Sequence, residues 1–179
     1  MDLRTQKIYD ALILAFQQLL EEKAFEEITV NELCERARTR RATFYKHFSD
    51  KYDFFQYMLK QMRENLFKEI RNEPNLDDLS KLLHMLIDSG LTFVEQNRKF
   101  LLSVENSSVA RAMLLTITNE SFDSDQFPDL FQDELEAQFL IGALNQCVRW
   151  WMHHMNKISK TDMQKRIYEL ADNYMESAR

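Results

Sequence analysis

The chain has 179 residues, of which 45% are hydrophobic, and a formal net charge of −6. Charged residues make up 29% of the sequence with both signs interspersed, which excludes wholesale disorder. The chain contains two glycines and two prolines, whereas a chain rich in strands and turns needs more of these helix- and strand-breaking residues. The composition therefore predicts an all-α protein, and its acidic balance argues against nonspecific polyanion binding by the whole molecule.

The sequence predicts neither export nor a membrane span. The first ten residues, MDLRTQKIYD, are polar and lead into an amphipathic helical pattern, unlike a signal peptide. The most apolar stretch, residues 139–152, contains Asn145 and Arg149 and is shorter than the roughly 20 residues that a bilayer requires. Cys34 and Cys147 lie far apart in apolar helical patterns, so we expect reduced, buried thiols in a cytoplasmic protein.

The first two helices are predicted by apolar spacing and by a cap. Over residues 5–23, apolar side chains recur three and four positions apart, as on one face of a helix. Thr29 and Glu32 have the spacing of a capping box, in which each side chain bonds the other residue's backbone amide. A short second helix is therefore expected over residues 30–38.

A third helix is predicted at about residues 41–48 and a fourth at about residues 51–71. On a helical wheel, Phe44 and Phe48 form one apolar edge of the third helix, which would anchor it to the first. The fourth helix carries a continuous apolar stripe and is expected to link a small N-terminal module to a larger helical body.

The rest of the chain is predicted to be a helical bundle, with the segment 119–129 as its longest loop. Apolar side chains form a seam along the last two helices, which suits packing within one chain or between two chains. The predicted helices are 76–97, 99–105, 107–120, 129–156 and 160–177.

A local basic patch lies within this acidic chain. Residues 36–51 hold six Lys/Arg against one Asp, a net charge of +5. The wheel places Ala42, Thr43 and Lys46 outward, with Arg41 and other polar side chains at the flanks. A small, cationic helix face with no acidic residue suits the major groove of DNA, whereas the simpler interpretation is a solvated basic face held by aromatics.

The same residues carry a family resemblance. The segment ITVNELCERARTRRATFYKHFSDK (28–51) resembles the TetR-type DNA-binding signature in order and spacing, and the similarity extends back through KIYDALILAFQQLLEEKAF (7–25). The family usually has glycine where this chain has Ala24, Arg38 and Ala42. Arg40 also stands where the family has a serine-like N-cap. A positive φ at Arg38 would strain the turn by on the order of 1 kcal/mol.

The resemblance implies the fold, the partners and the residues that contact DNA. It implies a helix-turn-helix domain at residues 1–50 and a helical body at 51–179 that binds an effector and dimerises through the last two helices. Contacts with base edges are implied for Asn31, Arg41, Ala42 and Lys46. Contacts with phosphates are implied for Thr43, Tyr45, His47 and Lys51, and Arg40 adds a further cation near the DNA.

The resemblance also implies a small-molecule effector, for which the methionines and aromatics of the body suit an apolar or aromatic ligand. The candidate ligand-binding residues are Phe93, Phe100, Met113, Phe139, Asn145, Gln146, Arg149, Trp150 and His153. Ordinary core and dimer packing explains many of the same residues equally well.

Other chemistry is not indicated. The adjacent His153 and His154 point about 100° apart on a helix and cannot share one metal ion. No phosphate-binding glycine loop or nucleophile motif occurs, so neither an enzyme nor a cofactor is expected. The sequence favours a homodimeric, ligand-responsive DNA-binding regulator, most often a repressor acting at a pseudo-palindromic operator. The alternatives are an all-helical adaptor for an acidic protein, and a TetR-like regulator controlled by a protein partner without an effector.

Overall fold

The computed structural model describes residues 3–73, 78–119, 131 and 133–177, and these confirm the predicted all-α fold. No strand occurs in these ranges, and a 3₁₀ turn, Phe25–Glu27, lies between the first two helices. The helices are α1 (Leu3–Glu22), α2 (Val30–Arg36), α3 (Arg41–Tyr45), α4 (Lys51–Arg71), α5 (Leu79–Asn106), α6 (Ser108–Asn119), α7 (Glu134–His154) and α8 (Lys160–Ser177).

Most helix bounds agree with the sequence prediction, and α5 is the main difference. The predicted helices 76–97 and 99–105 form one helix that is kinked at Asn97, where φ is −113° and ψ is 17°. The Asn97 side-chain amide donates to the Phe93 carbonyl at 2.9 Å, which bends the helix without ending it. The predicted loop 119–129 lies outside the described residues except for Asn119, the last residue of α6.

The chain divides into two compact units. The first contains Met1–Met62 and Lys99–Asn119, and the second contains Arg63–Arg98 and Glu120–Arg179. The sequence predicts a DNA-binding domain at residues 1–50 and a helical body at 51–179. That division concerns function, which the two compact units do not test, so it stays a prediction.

Six buried phenylalanines lie together in the core of the first unit. Their ring centroids lie 5.0–6.0 Å from those of their neighbours, in edge-to-face or tilted pairs. Such pairs contribute roughly 0.5–1.5 kcal/mol each beyond the burial of their area. This phenylalanine cluster joins α1, the 3₁₀ turn, α3 and α4, and its members are Phe16, Phe25, Phe44, Phe48, Phe54 and Phe55.

The turn between α2 and α3 is a Schellman motif with a non-glycine residue at its left-handed position. The Thr39 amide donates to the Cys34 carbonyl at 2.9 Å and the Arg38 amide donates to the Glu35 carbonyl at 3.1 Å. Arg38 has a φ of 51°, the one positive φ among the described non-glycine residues. Arg38 therefore has the positive φ that would strain this turn, as the sequence analysis described. α3 begins at Arg41, as predicted.

Polar contacts tie α5 to α8 in the second unit. His84 lies 3.1 Å from the Asp172 carboxylate, and Asp88 accepts a 2.6 Å hydrogen bond from the Tyr168 hydroxyl. Lys160 donates to a threonine and a glutamate further along α5. The apolar core of this unit includes the buried side chains of Leu82, Leu83, Ile87, Leu91, Trp151 and Ile167.

Two findings bear on thiols and membranes. Cys34 is buried and Cys147 half-buried, and burial raises the pKa of both free thiols. Among the helices that the structure describes, none is both long and apolar enough to cross a bilayer.

Arg38→Gly is expected to stabilise the protein by about 1 kcal/mol, because glycine adopts the left-handed conformation without a Cβ clash. Urea unfolding of the two proteins measures the difference. Arg38→Ala keeps the Cβ and the strain, so it should leave the free energy of unfolding nearly unchanged. A gain from alanine as large as that from glycine would contradict the strain explanation.

Candidate DNA-binding surface

α3 is held by Phe44 within it and by Phe48 three residues after its end. Phe44 is fully buried and Phe48 is 5% exposed. The Phe48 ring lies 5.0 Å from Phe54 of α4 and 5.2 Å from Tyr9 of α1, so the predicted anchoring to the first helix is present. α3 is shorter than predicted, because the amides of His47 and Phe48 both bond to the Phe44 carbonyl at 2.9 Å and close the last turn.

Six of the predicted DNA-contacting residues lie on α3 or directly after it. Arg41, Ala42, Tyr45 and Lys46 are exposed, whereas Thr43 and His47 are half-buried. The Arg41 guanidinium lies 5.9 Å from the Tyr45 ring centroid, and His47 makes an edge contact of 5.3 Å with a tyrosine of α1. Four of the nine predicted residues therefore lie on α3, and two follow it directly, of which Lys46 is exposed and His47 packs against α1.

The other three predicted residues have different environments. Arg40 is the exposed N-cap of α3, with φ −74° and ψ 140°, and its side chain makes no capping hydrogen bond. Asn31 is exposed at the start of α2, and its amide donates to the Glu35 carboxylate at 2.7 Å. Lys51, the first residue of α4, points into the protein.

The Lys51 ammonium is saturated by main-chain carbonyls. It donates to the carbonyls of Phe25, Glu26 and Ile28 at 2.9, 2.8 and 2.8 Å, and an ammonium has three N–H donors. It also lies 5.0 Å from the centroid of the Phe25 ring. Burial lowers the pKa of Lys51, opposed by the nearby Glu26 and Glu32 carboxylates. These contacts hold the start of α4 against the 3₁₀ turn.

The six cations of residues 36–51 therefore fall into different classes. The Arg36 guanidinium makes two hydrogen bonds to the Glu22 carboxylate, and Lys51 is saturated as described. Arg41 stacks over Tyr45. Three exposed cations have side chains with no hydrogen bond or ion pair inside the described ranges, and these are Arg38, Arg40 and Lys46.

The predicted capping box at the start of α2 is confirmed. The Thr29 hydroxyl accepts from the Glu32 amide at 3.2 Å, and the Glu32 carboxylate accepts from the Thr29 amide at 3.0 Å. The same carboxylate is paired with Lys23. These donors, led by Lys23, lower the pKa of Glu32 to about 2.

A hydrogen bond that no sequence pattern indicates joins the 3₁₀ turn to α6. The Ser107 hydroxyl donates to the Glu26 carboxylate at 2.7 Å and accepts from the Ala110 amide at 3.1 Å. The bond from Ser107 lowers the pKa of Glu26. The two partners are 81 residues apart in sequence, so no local pattern could have indicated the pair.

The candidate ligand-binding residues are distributed over both units. Phe100 is buried and Met113 half-buried in the first unit, and Phe93 is half-buried on α5 in the second. The other six lie on α7, all exposed, namely Phe139, Asn145, Gln146, Arg149, Trp150 and His153. Within the described ranges, no three His, Cys, Asp or Glu side chains converge as metal ligands would.

The α7–α8 seam leaves large apolar side chains exposed. Leu135 is 77%, Phe139 60% and Trp150 43% exposed on α7, and Leu170 is 49% exposed on α8. Trp151 instead lies inside the second unit at 1% exposure, with its indole N–H donating to the Ile158 carbonyl at 2.9 Å.

Comparison with protein families identifies the N-terminal segment. Residues 12–58 match the model of "Bacterial regulatory proteins, tetR family". The chain is 25% identical over 148 residues to DhaS, the dhaKLM operon transcriptional activator of Lactococcus lactis, covering 76% of this chain and 71% of that protein. It is 29% identical over 94 residues to the HTH-type transcriptional regulator YxbF of Bacillus subtilis, covering 49% of this chain but a quarter (25%) of YxbF.

Solved structures agree on the fold. The fatty acid degradation regulator FadR of Bacillus halodurans superposes with a TM-score of 0.63 at 20% identity, covering 91% of this chain and 93% of that one. A TetR transcriptional regulator of Streptococcus agalactiae gives 0.63 at 22% identity, with 94% and 95% covered. At these identities the likeness concerns the fold.

The stability contributed by the Glu32 carboxylate is expected to depend on pH. Its pKa is lowered from 4.5 to about 2 on folding, so the stabilisation is complete above pH 4.5 and is lost as the pH falls towards about 2. Glu32→Gln should therefore lower the urea midpoint at neutral pH, and its difference from wild type should shrink in acid. Glu21→Gln is the control, because Glu21 is exposed and accepts no hydrogen bond within the described ranges. A difference that stayed constant with pH would contradict the role of the charge.

Proposed function

The chain belongs to the TetR family of bacterial transcriptional regulators, and we propose that it binds a pseudo-palindromic operator as a homodimer through α3 and the turn before it. The observation that supports this most is the exposed cationic side of α3 on an otherwise acidic chain. Two α3 helices related by a dyad would enter successive major grooves of the operator.

We assign separate roles to the residues of this surface. Arg41 and Ala42 face outward on α3, and we propose that they contact base edges, as a guanidinium does with guanine and a methyl group with thymine. Lys46 and Asn31 are further candidates for base contacts. Thr43, Tyr45, His47 and Arg40 would bind phosphates, which fix the position of the helix on the duplex.

Lys51 receives a different role in this proposal. Its three donors are occupied by main-chain carbonyls, so a phosphate contact would require breaking at least one of those hydrogen bonds. We propose that Lys51 positions the start of α4, and with it α3, without touching DNA.

The dimer is proposed to form through α7 and α8. Its support is the row of exposed apolar side chains at Leu135, Phe139, Trp150 and Leu170, since patches of this kind mark protein interfaces. Isologous pairing of this surface would join two copies of the chain, and with them two copies of α3, in one assembly.

The direction of control has two candidates. Release of a repressor by a small apolar or aromatic effector is the function that the family resemblance implies. Activation is the second, favoured by the relative DhaS, which is named an activator. A reporter behind the bound operator distinguishes them, because deleting the regulator's gene raises expression from a repressed promoter and lowers it from an activated one.

The effector proposal predicts a response of the free protein to ligands. A panel of apolar and aromatic compounds should contain at least one that raises the thermal unfolding midpoint, because a ligand that binds the native state stabilises it. Tryptophan fluorescence of Trp150 and Trp151 is the second readout. If no compound in a diverse panel changed either readout, control by a protein partner would be favoured instead.

Arg41→Ala and Lys51→Met are expected to change DNA binding in different ways. Arg41→Ala should cost roughly 1–3 kcal/mol on the specific duplex and reduce its preference over other sequences, because a base contact is lost. Lys51→Met should lower the unfolding midpoint while leaving the dependence of affinity on salt unchanged, because no phosphate contact is lost.

Fluorescence anisotropy over a salt series measures both, using the duplex that the wild-type protein selects from a random-sequence library. Equal affinity of the wild type for all duplexes would contradict sequence-specific regulation. If Lys51→Met reduced the salt dependence of DNA affinity, Lys51 would be assigned a phosphate contact after all.

A further inference from the structure

Arg38 occupies a backbone conformation that favours glycine. Its φ of 51° completes the Schellman motif after α2, which the backbone hydrogen bonds of Arg38 and Thr39 fix in place. A side chain at this position crowds the backbone, and the strain is absent in glycine. A residue that keeps such strain calls for a reason outside the stability of the fold.

Among the described residues, the Arg38 side chain makes no polar contact that would supply such a reason. It is exposed, and its guanidinium has no hydrogen bond or ion pair in the part of the chain that the structure describes. The neighbouring Arg36 is different, because the Glu22 carboxylate binds its guanidinium in a bidentate pair. Arg38 therefore carries an uncompensated positive charge on a rigid turn.

The position of Arg38 puts this charge beside the proposed DNA surface. It lies two residues before Arg40, the N-cap of α3, and Arg40 is likewise exposed and unpaired within the described ranges. The turn is short and fixed by hydrogen bonds, so little backbone conformational entropy is lost when the guanidinium is held by a ligand. Guanidinium groups bind phosphate oxygens in a bidentate manner.

We propose that Arg38 binds a DNA backbone phosphate next to α3, and that its charge is the reason a strained arginine occupies a glycine position. This inference rests on the proposed DNA-binding function and adds a contact that the family resemblance does not imply. The contact would set affinity and register, and not the preference for one base over another.

The decisive variant is Arg38→Gly, because it separates folding from binding. It should raise the unfolding midpoint and yet weaken binding about fivefold per protomer near 0.15 M salt, the counterion-release value for one phosphate. The slope of log affinity against log salt should fall by about 0.9 per protomer. Specific and nonspecific duplexes should lose affinity to a similar extent.

Three matched variants complete the experiment. Arg38→Lys retains the charge and should retain the salt slope, whereas Arg38→Ala retains the strain and should lose the slope as glycine does. Arg36→Gln removes a cation already paired with Glu22 and should leave the slope close to the wild-type value. Anisotropy with the duplex selected by the wild-type protein, and with a scrambled duplex of equal length, gives all the slopes.

Each outcome distinguishes the two proposals. If the wild type shows no specific binding to any selected duplex, the proposed function is wrong whatever the variants do. If the wild type binds specifically but Arg38→Gly keeps its affinity and salt slope, Arg38 does not contact phosphate. A loss of affinity with an unchanged slope would assign the effect to rigidity of the turn, and would overturn the contact.

Discussion

The packing of six phenylalanine rings determines where α3 lies. α3 has five residues, far fewer than the roughly 12–15 at which an isolated helix becomes even marginally stable in water. Its conformation therefore depends on Phe44 and Phe48, which insert into the cluster formed with α1 and α4. The outward residues of α3 can be polar and cationic because the apolar side alone secures the helix.

Some of the cations in residues 36–51 stabilise the fold, and others are exposed at the surface. Arg36 and Lys51 are engaged with protein acceptors, so the basic count of the sequence overstates the charge available to a ligand. Within residues 36–51, the exposed cations with no hydrogen bond or ion pair inside the described ranges lie in the turn before α3 and directly after α3. An acidic protein can therefore present a small positive surface without being attracted to polyanions over its whole area.

Local sequence patterns predicted the features that local interactions determine. The bounds of α4, the capping box of Thr29 and Glu32 and the start of α3 follow from spacing within a few residues, and all three were found. The resemblance to the TetR family, which usually has glycine in this turn, also indicated the strain at Arg38, whose φ is 51°.

Features that depend on distant residues were not predictable in this way. Lys51 bonds to carbonyls 23 to 26 positions earlier, and no periodicity distinguishes such a lysine from an exposed one. α3 also ends earlier than the sequence predicted, because its last turn closes on the Phe44 carbonyl before Phe48 is reached. The ligand-binding candidates were chosen by residue type, and type alone does not separate the core of one unit from the surface of another.

Ser107 gives the first unit a mechanical constraint. At 2% exposure it is the one buried polar side chain among the described residues. Its hydroxyl is held in one orientation by the hydrogen bond that it donates and the one that it accepts. One oxygen accepts from the first turn of α6 while its proton is directed at Glu26, whose own carbonyl accepts from Lys51. The first turns of α6 and α4 are thus linked through Ser107, Glu26 and Lys51, by way of the 3₁₀ turn. Displacing α6 from the 3₁₀ turn would remove the acceptor of the buried Ser107 hydroxyl.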